Sequence, residues 1–200
     1  MKMNDMQAVT LQYYNDHARE FAEQTQYVDF GEIQQEFIKL IPDAGHILDF
    51  GCGAGRDSRY FLSRGYQVTA LDGSYSLALL AEEYIQQKVV RQSFEEFSAI
   101  DAYDGIWACA SLLHLPWDTL RQVVWKLAAA LHSKGILYAS FKYGNFTGMR
   151  HGRYFMDMTE ERWQALTEGM TAWHVLKIWV TGDVREGRSD QWLNILCKKQ

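Results

Sequence analysis

The densest group of chemically useful residues is Asp49-Phe50-Gly51-Cys52-Gly53-Ala54-Gly55, with Asp72 lying 21 positions beyond Gly51. Glycines at 51, 53 and 55 let the backbone turn tightly and approach a ligand where a Cβ would clash. Asp72 closes an apolar run and suits the two hydroxyls of a ribose. Asp49 would repel a pyrophosphate, yet it suits an ammonium group. The dinucleotide spacing GxGxxG needs a third small residue, and that place holds Arg56. On this local chemistry S-adenosylmethionine fits better than NAD(P). The plainer reading, a glycine-rich turn with no ligand, leaves the coincidence of three glycines and two acids unexplained.

The elements that must hold these residues alternate. Gln7 to Ala22 carries Tyr13, Tyr14, His17, Ala18 and Phe21 at helical spacings. Asp29 with Glu32 has the capping-box spacing and opens a second helix with Ile33, Phe37, Leu40 and Ile41 on its apolar face; Pro42 stops it. His46 to Phe50 reads as a buried parallel strand. A helix from Asp57 to Arg64, a strand from Tyr66 to Leu71, a helix from Ser74 to Gln86 and a strand from Lys88 to Arg91 follow. Ser93 with Glu96 forms another capping box. Tyr103 to Cys109 is a fourth strand. Leu120, Val123, Val124, Leu127 and Leu131 predict a helix ended by Gly135, and Ile136 to Phe141 a fifth strand. A polar loop with Gly144, Gly148, Arg150, His151, Gly152 and Arg153 precedes a helix capped by Thr159. His174 to Val180 and Trp192 to Cys197 close the chain as an antiparallel pair. The expected fold class is α/β, a doubly wound sheet with helices on both faces.

These motifs together resemble the class I S-adenosylmethionine-dependent methyltransferases, over about Ile47 to Lys142. Asp49 to Gly55 matches that family's glycine motif and Asp72 its ribose acid. Tyr103-Asp104-Gly105-Ile106-Trp107-Ala108 matches its fourth-strand motif, and Lys134-Gly135-Ile136-Leu137 its turn into strand five. The chain is also similar to the small bacterial methyltransferases grouped with tellurite-resistance proteins, through Tyr13-Tyr14 with Ala18 and Phe21, Ser111-Leu112-Leu113-His114, Asp183-Val184-Arg185 with Arg188, and Trp192-Leu193-Asn194. The resemblance implies a Rossmann-like seven-stranded sheet, mostly parallel with an antiparallel last strand. It implies a cofactor site of Asp49, Gly51, Cys52, Gly53 and Gly55 at the methionine half and Asp72 with Gly73 at the ribose. Ser93 and Phe94 would flank adenine; Ser93 departs from the family's Asp, leaving backbone groups or Glu95 to hold the base. Cys109 and Ala110 would lie under the cofactor. For Cys109 the reading as a small buried residue outweighs thiol chemistry.

On the acceptor side, His114 is a base or positioning candidate, and equally a structural histidine bonded to backbone at a helix start. Tyr13 and Tyr14 would close over the pocket, and Tyr143 ends strand five; each is also readable as a packing aromatic. The catalytic candidates are therefore His114, Tyr14 and Tyr143. Arg150, Arg153, Arg185 and Arg188 suggest a carboxylate or oxyanion acceptor; the alternative pairs them with Asp157, Asp183, Glu186 and Asp190. Tyr13, His114, Arg153, Arg185 and Arg188 are the expected acceptor contacts.

The 200 residues suit one domain: helices at 1–41 as a cap, 42–142 as the cofactor core, and 143–200 on the substrate side. Twenty basic against 25 acidic residues leave a net charge of −5, which argues against a broad grip on nucleic acid. Nucleic-acid base methylation is further disfavoured because the Asn/Asp-Pro-Pro-aromatic motif is replaced by Ala108-Cys109-Ala110-Ser111. Three scattered Cys show no zinc spacing, so no metal is expected. No signal or membrane-spanning segment is read, and a cytoplasmic, reduced protein with a small-molecule acceptor is expected. A monomer and a homodimer both remain open. The competing classes are an NAD(P)-dependent oxidoreductase and a non-catalytic S-adenosylmethionine-binding domain.

Overall fold

The computed structural model describes residues 3–185 and 187–200. Its elements in chain order are α1 (Met3–Asp16), α2 (Ala18–Thr25), α3 (Gly31–Ile38), β1 (His46–Phe50), α4 (Arg56–Ser63), β2 (Gln67–Asp72), α5 (Tyr75–Ile85), β3 (Val89–Arg91) and β4 (Tyr103–Ala108). A single 3-10 turn, Leu112–His114, leads to α6 (Trp117–Ala130), β5 (Leu131–Lys142), β6 (Thr147–Arg150), β7 (Arg153–Met156), α7 (Glu160–Thr167), β8 (Trp173–Gly182) and β9 (Gln191–Lys199).

The main sheet has seven strands in the order β3-β2-β1-β4-β5-β9-β8, with β9 antiparallel to both its neighbours. The expected Rossmann-like sheet with an antiparallel last strand is therefore present. Strand order reverses between β1 and β4, and the crevice beyond their carboxyl ends is where such folds take ligands. Successive residues of β1 serve opposite layers. Leu48 and Phe50 join the core under α6 and the β6–β7 hairpin, while Ile47 packs with Phe37, Phe61 and Trp107 under α3 and α4. Trp107 stacks on Tyr138 at 4.0 Å and meets Phe37 at 5.2 Å, so these aromatic rings fill the core.

Several local expectations change. The first helix is interrupted at His17, whose backbone N and ring Nδ1 both bond the Tyr13 carbonyl. Asp29 does accept from Gly31 N, but the third helix starts one residue later than a cap at Asp29 implies, and Leu40 is exposed. The Ser93–Glu96 box forms its reciprocal bonds without a helix. Phe94 and Phe97 are drawn instead against Phe50, at 4.4 and 5.0 Å. Leu131 belongs to β5 rather than the preceding helix, because it pairs with Tyr103; the register shift between Tyr103 and Gly105 absorbs the residues up to Gly135. The polar loop after strand five is a two-stranded hairpin, β6–β7.

Phe37 is fully buried between Phe61 and Trp107. Phe37→Ala is expected to cost about 3–5 kcal/mol in urea unfolding. Tyr27→Ser, at a position 77% exposed, should change stability by no more than about 0.5 kcal/mol.

Candidate functional site

The glycine loop is shaped by contacts on both sides. Gly51 has φ +88°, and a Cβ there would lie 2.4 Å from the Cβ of Ser111, so no other residue fits. Gly51 and Cys52 both donate their N–H to the Leu71 carbonyl, and Gly53 N donates to Asp72 Oδ2 at 2.8 Å. Asp72 Oδ1 accepts from Ser74 N, so that carboxylate is fixed at the mouth of the loop. Gly55 plays a different part from the one expected. It lies at the N-terminus of α4 and does not line the cavity; its missing Cβ admits Ile85 and Ala81 of α5.

Three buried carboxylates surround this loop. Asp57 accepts from Gln34, from Arg56 and from the Trp107 indole, at 2.6 to 2.9 Å. Read from sequence as a helix opener, it is the anchor that joins α3, α4 and β4. Asp49 accepts one bond, from Ser58 Oγ at 2.6 Å. Burial and the neighbouring Asp57 carboxylate push its pKa up to about 8. It lies beneath the loop, outside the cavity lining. Burial lifts Asp72 to about 6, against its two backbone N–H donors.

One cavity of about 770 Å³ runs from these residues to the hairpin. Gly51, Cys52, Gly53, Asp72, Gly73, Ser93, Phe94, Cys109 and Ala110 line one end. Phe21 on α2 stands over Gly53, and Leu11 on α1 over Gly73. Asn15 Oδ1 accepts from Ser74 Oγ and Ser76 N, tying α1 to the start of α5. Neither Leu11 nor Asn15 carries a motif that sequence reading could use. The Cys109 thiol is pushed up to about 12 by burial and by Asp57, so it holds its proton.

At the other end, His114 binds two partners. Its Nδ1 lies 2.6 Å from the Tyr154 carbonyl, which only accepts, so that nitrogen carries the proton. Nε2 therefore accepts from the Tyr14 hydroxyl at 2.8 Å. Burial, with Arg153 nearby, lowers His114 to about 4, and burial raises Tyr14 above its usual range despite Arg153. Arg153 Nη1 donates to the Tyr14 oxygen at 3.3 Å, and its guanidinium lies 4.5 Å from the Tyr13 ring centroid and 5.1 Å from that of Phe155. The base and backbone-bonded readings of His114 thus meet in one side chain that is neutral and doubly bonded.

The arginines separate into two groups. Arg185 lines the cavity but forks onto Asp183, and Arg150 pairs with Asp157 at 2.9 Å. Against its burial, hydrogen bonds from Arg185 and Trp192 hold Asp183 down to about 2. Asp190 pairs with Lys142, and Glu186 lies outside the described residues. Arg188 also lines the cavity. Tyr143 does not: Lys142 faces the cavity, so its neighbour points away along the strand, where Glu160 raises its hydroxyl. Tyr143 is removed from the catalytic candidates on that geometry.

Residues 47–135 match the family profile described as a methyltransferase domain. The malonyl-[acyl-carrier protein] O-methyltransferase of Pectobacterium atrosepticum is 28% identical over 67% of this chain and 56% of its own length. That of Enterobacter lignolyticus is 38% identical over 46% of this chain and 36% of its own. The chain thus spans little more than half of the first of these relatives and less of the second. Among solved structures, a Burkholderia thailandensis 1,6-didemethyltoxoflavin-N1-methyltransferase with S-adenosylhomocysteine bound superposes with TM-score 0.81 at 19% identity, covering 100% of this chain and 91% of that one. TehB from Haemophilus influenzae gives 0.72 at 15%, covering 90% and 66%. At such identities the solved structures establish the shared fold. The matched stretch holds the glycine loop, Asp72 and the fourth strand, so over residues 47–135 the chain is similar to the methyltransferase domain.

Proposed function

We propose that this protein transfers a methyl group from S-adenosylmethionine to a small-molecule acceptor, chiefly by proximity and desolvation. The observation that carries the reading is Asp49, a buried carboxylate with one hydrogen bond and a raised pKa, beneath a loop that only glycine can form. Such a group is costly until a cation comes near it. An ammonium group satisfies it, directly or through water, and a pyrophosphate would not. This favours S-adenosylmethionine over NAD(P), as does the side chain of Arg56, which is committed to Asp57 where a dinucleotide loop needs a small residue.

In this assignment Asp72 takes the ribose hydroxyls, Ser93 and Phe94 flank the adenine, and Cys109 and Ala110 form the floor. S-adenosylmethionine supplies a methyl carbon on a sulfonium, so the acceptor lone pair forms the new bond while the carbon–sulfur pair of electrons stays on sulfur. The protein's part is to align the acceptor and exclude water. Tyr13, Tyr14 and Phe21 on the N-terminal helices cover the site, and His114 holds the Tyr14 hydroxyl in place. Residues 1–41 then act as the cap, 42–142 hold the cofactor and 143–200 face the acceptor, within one domain. The absence of a paired ionised base among these groups favours an acceptor whose lone pair is already free.

Calorimetric titration tests the cofactor class. S-adenosylmethionine and S-adenosylhomocysteine should bind, NADH and NADPH should not, and Asp72→Asn should weaken S-adenosylhomocysteine by about 10–100-fold. Tight NADH binding without a response to S-adenosylmethionine would overturn the assignment; a screen with radiolabelled donor then reads turnover. A second prediction concerns stability. Asp49 faces Asp57, Asp72, Arg56 and Ser58, and its pKa rises from 3.8 to about 8 on folding. The unfolded chain therefore ionises first, and the wild type loses stability as pH climbs through that window. Asp49→Asn should melt close to the wild type near the bottom of the window and above it at the top, by about 2–4 °C for each kcal/mol relieved. A gap that does not grow with pH would contradict the buried-charge argument.

A further inference from the structure

Arg153 is the one arginine among those predicted for the acceptor side that the structure places deep in the cavity with unfulfilled donors. Its Nε is buried and has no hydrogen-bond partner, and its only side-chain bond is the 3.3 Å contact to the Tyr14 oxygen. No carboxylate lies within ion-pair distance among the described residues, whereas Arg56, Arg150, Arg185 and Lys142 each have one. The Tyr13, Tyr14 and Phe155 rings stabilise its positive charge but leave its Nε–H without an oxygen acceptor. The other groups nearby cannot supply one. The His114 Nε2 lone pair is taken by Tyr14, and its Nδ1 proton by Tyr154.

We infer that Arg153 binds a carboxylate on the methyl acceptor, so that the acceptor enters the cavity as a monoanion. This rests on the methyltransferase reading and adds the acceptor's charge and the residue that reads it. A half-buried guanidinium whose Nε–H has no partner is matched by a planar carboxylate that accepts two parallel bonds. The charge on Arg153 is balanced by one negative charge, whereas a phosphate dianion would bring a second one into a cavity that Asp72 already lines. The partner groups Tyr14 and His114 are neutral, so they hold the guanidinium and close the site without competing for the anion.

The test uses ¹⁵N-labelled protein saturated with S-adenosylhomocysteine, titrated with acetate and benzoate, with acetamide and benzamide, and with inorganic phosphate. The Arg153 Nε–H resonance is identified by its loss in Arg153→Met. The carboxylates should shift that resonance, the amides should not, and phosphate should bind more weakly than benzoate. In Arg153→Met the benzoate Kd should rise about 10–100-fold, the range of a charge-assisted hydrogen-bonded contact; Arg153→Lys should recover part of it. Binding of S-adenosylhomocysteine should stay within about twofold of wild type, which also reports an intact fold. Equal responses to benzoate and benzamide, or no response to either, would overturn the inference on wild-type protein alone. So would a selective loss of S-adenosylhomocysteine relative to 5′-methylthioadenosine in Arg153→Met, which would assign Arg153 to the cofactor's own carboxylate. Failure of the wild type to bind S-adenosylhomocysteine would instead overturn the cofactor assignment beneath it.

Discussion

Three carboxylates removed from water around one glycine loop set the terms for the rest of this structure. Asp57 is neutralised internally, by Arg56, Gln34 and Trp107, and in return pins α3, α4 and β4 together. Asp72 is held by two backbone N–H groups, which orient it and moderate the cost of burial. Asp49 has Ser58 alone, and burial beside the Asp57 carboxylate raises its pKa. A group left in this condition by folding is costly in the empty protein and useful once a cation arrives, the usual exchange of stability for function at a binding site.

The sheet makes that arrangement possible. Asp49 sits opposite Trp107 of β4 and Ala70 of β2, at the place where strand order reverses. The tips of the central strands therefore open into a crevice that neither helical layer fills. The N-terminal helices cover it with Leu11, Tyr14 and Phe21, and the β6–β7 hairpin closes the far side with Arg153 and Phe155. The aromatic content is divided between two duties. Trp107, Tyr138, Phe37 and Phe61 fill the core, while Tyr13, Tyr14 and Phe155 surround the guanidinium of Arg153.

What could be read from the residues depended on how local the signal was. The glycine loop, Asp72 and the order of strands and helices follow from spacing over a few residues, and the fold agrees with them. Pairings across the chain leave no such trace: Tyr14 and His114 are 100 positions apart, and Asn15 reaches Ser74 from a helix without a motif. Strand parity misleads by a single residue, which is why Lys142 faces the cavity and Tyr143 does not. The arginines looked alike in sequence, and only the positions of Asp157 and Asp183 separate Arg150 and Arg185 from Arg153. A capping box at Ser93 promised a helix that the pull of Phe94 and Phe97 into the core prevents.

We propose that Asp49 is held as a protonated acid until the cation of S-adenosylmethionine reaches it. Infrared difference spectroscopy at neutral pH reads this directly, because a protonated carboxyl and a carboxylate absorb at separate frequencies. Adding S-adenosylmethionine to the wild type should remove one protonated-carboxyl band and produce a carboxylate band, and Asp49→Asn should show neither change. Saturable binding of S-adenosylmethionine with no loss of a protonated carboxyl, or the same loss in Asp49→Asn, would contradict the account.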